Sequence, residues 1–183
     1  MNAHLDVDLR FETERLEVDD WHIMVETHGL DLTAEVRALL TPSTTASLPV
    51  EWRGEYSVVR TQQWIDERDA ESPTLLVVDR STNQAIGLVI LFFVAQPHGS
   101  GAFIVQIGYI LCESVWGRGL GTELVSGLVT WARARPTIIS LVAGVDPSHA
   151  TSVRVLVKNG FARSETGSAD EQTYHLDVVA DDI

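Results

Sequence analysis

The most informative part of this sequence is Ile107-Gly-Tyr-Ile-Leu111, followed after four residues by Trp116-Gly-Arg-Gly-Leu-Gly-Thr-Glu-Leu124. The first segment belongs to an apolar run that predicts a strand from Phe103 to Leu111. In the second segment leucines recur at helical spacing, and a helix is predicted from about Leu120 to Arg135, where Pro136 ends it. The sequence therefore predicts a strand, a glycine-rich loop and a helix in immediate succession.

The predicted loop has glycine at every second position, at Gly117, Gly119 and Gly121. Glycine lets a backbone approach a ligand closely, and the N–H groups and dipole of a helix N-terminus attract phosphate oxygens. The dinucleotide fingerprint G-x-G-x-x-G is excluded because residue 122 is threonine, and the Walker A loop is excluded because no lysine precedes Lys158. From the residues alone, an anion-binding loop and a merely tight turn both remain open.

Length and composition favour a single domain spanning residues 1–183. Of these residues 45% are hydrophobic and 21% are charged, which is enough apolar material for a core. The longest apolar run, Ala85 to Ala95, is shorter than the roughly 20 residues that span a bilayer. The first 20 residues contain seven acids and no apolar segment typical of a signal peptide. We therefore expect a cytoplasmic protein without a membrane partner.

The charge is unevenly distributed along the chain. The net charge of −13 argues against nucleic acid as a partner, because such binding depends on lysine and arginine. Residues 117–163 nevertheless carry six basic side chains and two acids, and the rest of the chain is correspondingly more acidic. A basic segment in an acidic protein suggests a site for a compact polyanion such as a nucleotide-type cofactor. Ordinary scatter of charge over solvated helix faces is the alternative.

The remaining hydrophobic pattern completes an alternation of strands and helices. Helices are predicted at His22–Leu40 (broken by Gly29), Ser57–Ala70, Leu120–Arg135 and Ser148–Asn159. Strands are predicted at Phe11–Val18, Thr74–Val78, Ala85–Val94, Phe103–Leu111, Thr137–Val145, Phe161–Arg163 and Gln172–Val179. A turn is predicted at Pro97–Gly101, and the strand at Ala85–Val94, which is apolar on both faces, should lie in the middle of the sheet. This order predicts a mixed α+β layer fold.

A second motif follows at Val145-Asp-Pro-Ser-His-Ala-Thr-Ser152, with a helix that ends in Gly160-Phe161. Together the two motifs resemble those of the GNAT N-acetyltransferase superfamily, and more narrowly the branch that includes ribosomal-protein N-terminal acetyltransferases. The general family motif is Q/R-x-x-G-x-G/A, and Trp116 stands in its first position, a variant associated with that branch. The resemblance implies a three-layer α+β fold with a mixed, mostly antiparallel sheet of about six to seven strands and about four flanking helices.

The resemblance also implies acetyl-coenzyme A as the cofactor. Its pantetheine arm would lie between the strands at Phe103–Leu111 and Thr137–Val145. Main-chain groups of three residues would pair with that arm: Ile110, Leu111 and Cys112. The pyrophosphate would be held by the glycine loop: Gly117, Arg118, Gly119, Leu120, Gly121 and Thr122. His149 replaces the usual asparagine, and it either contacts the cofactor arm or is simply a half-exposed residue at a helix start.

The implied reaction is direct transfer of an acyl group from the thioester to an amine. Ser152 matches the family serine near the cofactor sulfur and is the candidate catalytic residue, as proton donor directly or through water. The alternative is a helix serine that satisfies its own backbone. The general base is open, because Gln106 stands where the branch often has a carboxylate. Glu51 and Glu55 flank two aromatic residues and form either an acidic, aromatic acceptor wall or a solvated approach to a helix.

The predicted acceptor is a primary amine, either a protein N-terminus or a small cationic amine. A non-catalytic acyl-CoA-binding module is the alternative, in which Gln106 and His149 mark a degenerate site. A nucleotide-binding protein that uses the same glycine loop is a third possibility. No metal is expected, because the histidines lack metal-ligand spacing. A possible sheet edge at Thr173–Val179 makes a homodimer plausible.

Overall fold

The computed structural model describes residues 7–96, 101–164 and 172–178. Its five α helices are α1 (Trp21–His28), α2 (Leu32–Leu39), α3 (Val58–Glu71), α4 (Leu120–Arg133) and α5 (Ala150–Lys158). Its eight strands are β1 (Phe11–Glu12), β2 (Leu16–Asp20), β3 (Thr74–Asp79), β4 (Gln84–Ala95), β5 (Phe103–Leu111), β6 (Ile138–Val145), β7 (Ala162–Arg163) and β8 (Gln172–Asp177). Single turns of 3₁₀ helix lie at Val50–Trp52 and Glu113–Val115.

The eight strands form one sheet in the order β1-β2-β3-β4-β5-β6-β8-β7. Only the β5–β6 pair is parallel in the described part of the chain. The predicted α+β fold with a mixed, mostly antiparallel sheet is therefore confirmed. The strand at Ala85–Val94, which corresponds to β4, lies in the interior of the sheet, as its apolar faces predict.

The numbers of strands and helices differ slightly from the prediction, for two local reasons. The predicted strand at Phe11–Val18 is a hairpin of β1 and β2, because the chain turns where the Thr13 N–H donates to the Leu16 carbonyl. The helical region from His22 to Leu40 is broken at Gly29, as predicted, but it counts as two helices, because Gly29 ends the first in the left-handed conformation, with φ of 65°.

The predicted edge strand at Thr173–Val179 is also corrected. Strand β8 pairs with β6 on one side and with β7 on the other, so the two-residue β7 is the outermost strand at this end. Ala162 and Arg163 cover β8 opposite His175 and Tyr174. Val179, and residues 97–100 of the predicted turn at Pro97–Gly101, lie outside the described residues.

Two hydrophobic clusters hold the layers together, one on each side of the sheet. The larger joins the sheet to α4 and α5, and the smaller joins it to α1, α2 and α3. Leu124 and Leu128 of α4 are fully buried in the larger cluster, and each such side chain contributes about 1.5–3 kcal/mol by burial. Helix α4 is thereby fixed with its N-terminus at the end of β5.

Strands β5 and β6 separate along their length. Their pairing ends at Gln106 and Val142, whereas β5 continues to pair with β4 as far as Leu111. The last five residues of β5 and the last three of β6 are thus no longer paired with each other. The sheet has an opening here, and it leads to the loop that begins α4.

Candidate active site

The opening is lined by main-chain groups of β5. The Cys112 N–H donates to the Ile86 carbonyl at 2.8 Å. Because the direction of the N–H and C=O groups alternates along an antiparallel strand, Ile110 also turns its main-chain groups to β4. Tyr109 and Leu111 turn theirs away from β4, towards the opening. Of the three residues predicted to pair with a cofactor arm, only Leu111 therefore directs its amide into the opening, and Tyr109 joins it.

Trp116 ties the start of the glycine loop to the end of β5. Its indole N–H donates to the Leu111 carbonyl at 2.8 Å, while the side chain remains 53% exposed. The Leu111 carbonyl is thereby occupied, and the Leu111 amide is left facing the opening. Trp116 thus has a structural role at the position where the general family motif has Gln or Arg.

The glycine loop presents an uncapped helix N-terminus. Gly117 and Gly119 have φ of 75° and 79°, a region that favours glycine because it has no Cβ. Gly119 is the N-cap of α4 and provides no side-chain hydrogen bond, so the first N–H groups of the helix lack the usual capping partner. These N–H groups belong to Leu120, Gly121 and Thr122. Such an arrangement favours an anion at this end of the opening.

Arg118 lies in this loop with an exposed side chain. Its carbonyl accepts a hydrogen bond from Nη1 of Arg15 at 3.1 Å. A Cβ added at Gly119 would lie 3.8 Å from Nη2 of the same arginine. The β1–β2 hairpin thus places a second guanidinium beside the loop, which the sequence analysis did not identify.

Glu123 connects this hairpin to the first turn of α4. Its carboxylate accepts hydrogen bonds from the Thr13 hydroxyl at 2.6 Å and from the Arg15 amide at 2.8 Å. It also forms an ion pair with the Arg15 guanidinium at 2.6 Å. Burial would raise the pKa of Glu123, but these hydrogen bonds outweigh burial and the pKa is lowered.

We expect Glu123→Ala to destabilise the protein by about 1–3 kcal/mol at neutral pH, because Thr13 and Arg15 lose their acceptor. Since the pKa of Glu123 is lowered on folding, its stabilising effect is present above the unfolded value of about 4.3 and disappears as the pH falls through the lower folded value. Urea unfolding at pH 7 and pH 3 measures both effects. The exposed Glu113, replaced by alanine, is the control, and an equal loss in both variants at pH 7 would contradict this role.

A groove of about 720 Å³ runs from the glycine loop along α4. It extends from Gly119 and Thr122 to Ala134, and Lys158 and Asn159 of the α5 end form part of its wall. Nδ2 of the Asn159 side chain donates to the Thr122 carbonyl at 3.2 Å and so links the two helices. Lys158 makes no ion pair with the residues that the structure describes. Its ammonium group can therefore receive an anion.

Ser152 lies in the first turn of α5, on the other side of the opening from the glycine loop. Its Oγ is 2.7 Å from the hydroxyl oxygen of Tyr109 on β5. Burial raises the pKa of Tyr109, and the bond to Ser152 only partly offsets this. Tyr109 is not among the site residues predicted from the sequence. The alternation of β5 could have placed it on the same face as Ile107 and Leu111, but no pattern showed that Ser152 would meet it.

His149 lies at the edge of this region rather than within it. It is the N-cap of α5, its side chain makes no capping hydrogen bond, and it is exposed. The neighbouring Asp146 accepts hydrogen bonds from the Ser148 amide and hydroxyl at 2.8 and 2.6 Å, and these lower the pKa of Asp146. The helix start is therefore organised by Asp146 and Ser148, and the exposed His149 side chain is compatible with both of its predicted alternatives.

The segment of Glu51 and Glu55 has the features of the second alternative, a solvated approach to a helix, rather than those of an acidic, aromatic wall. Glu51 and Glu55 are exposed, whereas Tyr56 is buried and its ring is covered by the Arg60 guanidinium at 4.1 Å. Arg60 also donates to the carbonyls of Glu51, Arg53 and Glu55, at 2.7–3.1 Å. The Trp52 ring is covered by Arg68 at 4.4 Å. The protein's own arginines thus each cover one face of these rings, in the way that a cationic acceptor would.

The remaining polar residues near β5 do not form a conventional catalytic pair. Gln106 is exposed, and Cys112 has its Sγ 3.2 Å from the Ser114 hydroxyl. Within the described ranges, no three histidine, cysteine or acidic side chains cluster in a way that could hold a metal ion. No helix in the same ranges is both long and apolar enough to cross a membrane.

Several solved structures share this fold. An acetyltransferase of the GNAT family from Bacillus anthracis has a TM-score of 0.68 and 14% identity, over 92% of this chain and 98% of that chain. The acetyltransferase from Agrobacterium tumefaciens has a TM-score of 0.66 and 20% identity, over 96% and 98%. The ribosomal L7/L12 alpha-N-protein acetyltransferase RimL, in complex with coenzyme A, has a TM-score of 0.61 and 20% identity, over 90% and 95%.

The sequence itself gives a more direct assignment. No curated protein sequence matches the chain. The family model described as the acetyltransferase (GNAT) domain, however, matches residues 26–162, which is more than half of the chain. The chain therefore belongs to the GNAT acetyltransferase family, which confirms the resemblance of its two sequence motifs.

Proposed function

We propose that this protein transfers an acetyl or longer acyl group from a coenzyme A thioester to a primary amine. The observation that carries the proposal is the opening between β5 and β6, which leads directly to the uncapped N-terminus of α4. One end of this path offers main-chain groups to an extended chain, and the other offers N–H groups to an anion. A pantetheine arm joined to a pyrophosphate has the same order of chemical groups.

The proposed cofactor position uses three surfaces in succession. The pantetheine arm lies beside Tyr109 and Leu111, with the pyrophosphate on the amides of residues 117–122. The nucleotide end follows the groove along α4 and reaches Lys158, whose charge suits a phosphate. The RimL structure, which shares this fold, is in complex with coenzyme A, and that supports the assignment.

The chemistry needs an unprotonated amine, a polarised carbonyl and a stabilised leaving thiolate. The amine nitrogen forms a bond to the thioester carbon and later loses a proton to water, while the C–S bond breaks and its electron pair leaves with sulfur. A main-chain N–H of β5 that faces the opening is the proposed donor to the oxyanion. Alignment of the two reactants can lower the barrier by roughly 7–11 kcal/mol. We propose that Ser152 assists departure of the thiolate, directly or through water.

The proposed acceptor is a protein N-terminus or a small cationic amine. Gln106 cannot accept a proton, so deprotonation of the amine is proposed to proceed through water rather than through that side chain. The exposed carboxylates of Glu51 and Glu55 offer charge rather than aromatic contact to a cation, because Arg60 covers the Tyr56 ring.

Cofactor binding is tested by thermal unfolding with acetyl-CoA, and with ATP and NAD as controls. Ligand at 100 times its dissociation constant adds about 2.7 kcal/mol, which we expect to raise the Tm by roughly 5–10 °C with acetyl-CoA only. No shift at millimolar acetyl-CoA would overturn the cofactor assignment. Shifts with ATP or NAD but not with acetyl-CoA would favour a nucleotide-binding protein.

A matched pair of variants locates the site. Gly117 and Gly29 both have positive φ, and a Cβ added at either meets nothing within 4 Å. Gly117→Val and Gly29→Val therefore carry similar backbone strain, but only Gly117 lies in the loop proposed to hold the pyrophosphate. We expect only Gly117→Val to remove the acetyl-CoA shift.

The second candidate function is a non-catalytic acyl-CoA-binding module, favoured by Gln106 in place of a carboxylate. Release of coenzyme A thiol in the presence of an amine distinguishes it from an enzyme. We use a short peptide with a free N-terminus and spermidine as acceptors. A thermal shift with acetyl-CoA but no thiol release with either acceptor would favour the binding module.

A further inference from the structure

Tyr109 and Ser152 bridge the opening in the sheet. Tyr109 lies on β5, three residues beyond the last residue that pairs with β6. Ser152 lies on α5, which follows β6 in the chain. Their hydroxyl oxygens are 2.7 Å apart. This hydrogen bond therefore connects β5 to α5 beyond the point where β5 and β6 stop pairing.

The direction of this hydrogen bond decides what Ser152 can do. A phenol is a stronger acid than an alkyl alcohol and is therefore the better donor, while the alcohol oxygen is the better acceptor. Burial raises the pKa of Tyr109, so its hydroxyl keeps its proton throughout the neutral range. When Tyr109 donates to Ser152, the Ser152 hydrogen is free to point elsewhere, and accepting a bond also strengthens the one that Ser152 donates.

We propose that Tyr109 is a positioning residue that orients the Ser152 hydroxyl towards the thioester sulfur. The proposal rests on the proposed acyltransfer function. As the C–S bond breaks, its electron pair remains on sulfur, and the Ser152 O–H donates a hydrogen bond to the developing thiolate. Ser152 keeps its proton, because an alkyl alcohol is a much weaker acid than a thiol, and water finally protonates the thiolate. Tyr109 stays neutral throughout and does not touch the sulfur.

The test compares Tyr109→Phe, Ser152→Ala and the double variant in the full-length protein. Tyr174→Phe is the matched control: this tyrosine is also part of the larger hydrophobic cluster, and its hydroxyl donates to Gln172 at 3.2 Å rather than to Ser152. Thiol release from acetyl-CoA, with the peptide or spermidine as acceptor, gives kcat and KM, and thermal unfolding reports stability.

We expect Tyr109→Phe to lower kcat about 10-fold, with the KM for acetyl-CoA unchanged, because only the orientation of Ser152 is lost. In the Ser152→Ala background the same change should have no further effect, since the two residues act as a unit. Tyr174→Phe should retain the wild-type kcat. If the hydrogen bond between Tyr109 and Ser152 only stabilised the fold, Tyr109→Phe would lower the Tm but would not lower kcat selectively while KM stays unchanged.

Three results would overturn the role of Tyr109. The first is a Tyr109→Phe variant with the wild-type kcat. The second is a Tyr109→Phe substitution that lowers kcat by the same factor in the Ser152→Ala variant as in the wild-type protein. The third is an increase in KM without a change in kcat, which would indicate cofactor binding instead. If the wild-type protein binds acetyl-CoA but releases no thiol, the proposed function itself fails and the role of Tyr109 falls with it.

Discussion

Gly87→Ala is expected to destabilise the protein by about 3 kcal/mol or more, because a single added methyl group has no space at this position. A Cβ at Gly87 would lie 2.4 Å from the Ile110 carbonyl oxygen and 2.6 Å from Cδ2 of Leu111. The first of these atoms belongs to the backbone and cannot move unless the pairing of β4 with β5 changes. Urea unfolding measures this loss of unfolding free energy from the midpoint and from the dependence of the free energy on urea concentration.

The neighbouring strand offers a matched control. Gly108 lies in β5, has no positive φ, and a Cβ added there meets nothing within 4 Å. Gly108→Ala should therefore change the free energy of unfolding by less than about 1 kcal/mol. Similar stabilities for the Gly87 and Gly108 variants would contradict the close approach of β4 to β5.

The Gly87 variant should also bind acetyl-CoA weakly even where it remains folded. Gly87 lies directly opposite Leu111 in the β4–β5 pairing, and Leu111 is the residue whose amide faces the opening. A shift of the β5 end would move this amide and the loop that follows it. The acetyl-CoA thermal shift, measured at a temperature where the variant is folded, should be reduced, and an undiminished shift would contradict the coupling.

Ser152→Ala is expected to lower kcat about 100-fold, which corresponds to roughly 2.7 kcal/mol of transition-state stabilisation. The hydroxyl is proposed to act only as the thiolate departs, so the affinity for acetyl-CoA should be unchanged. Steady-state thiol release and calorimetric binding measure the two quantities separately.

Ser148→Ala is the control for this substitution. Ser148 lies four residues earlier in the chain, and its hydroxyl donates to Asp146, so its removal affects the loop before α5 but not the Tyr109 pair. We expect nearly wild-type kcat for this variant. Equal losses in the two serine variants would show that α5 is merely displaced, and an active Ser152→Ala variant would exclude the proposed role of Ser152.

The strand, loop and helix around the glycines could be predicted from sequence because their signals are local. Apolar runs, helical spacing and glycine at Gly117 and Gly119 each specify the conformation of their own segment. The turn at Thr13 is not predicted, because the apolar residues Phe11, Leu16 and Val18 suggest one strand and the polar residues 12–15 between them include neither glycine nor proline. The reversal is closed by the Thr13 N–H donating to the Leu16 carbonyl and by the Leu16 N–H donating to the Thr13 hydroxyl. Hydrophobic spacing does not reveal these hydrogen bonds.

The missed contacts of the site join residues far apart in the chain. Glu123 meets Arg15 across 108 positions, and Tyr109 meets Ser152 across 43. Strand and helix periodicity predicts which face a side chain occupies, but the partner depends on how the layers pack. The contacts of Arg60 with the Tyr56 ring and of Arg68 with the Trp52 ring could not be predicted for the same reason: no local pattern shows which side chain will lie over a ring.

The proposed cofactor path is formed largely by the main chain, and this affects how the protein can evolve. The β5 amides that face the opening, and the amides of the first turn of α4, are present with any side chain at those positions, provided that the backbone keeps the same conformation. We therefore expect side chains along this path to be replaceable without loss of the proposed thioester binding. The fold itself is shared at 14–20% identity by the structures compared. On this proposal, a new acceptor preference would require changes of side chain elsewhere, while the proposed cofactor path stays the same.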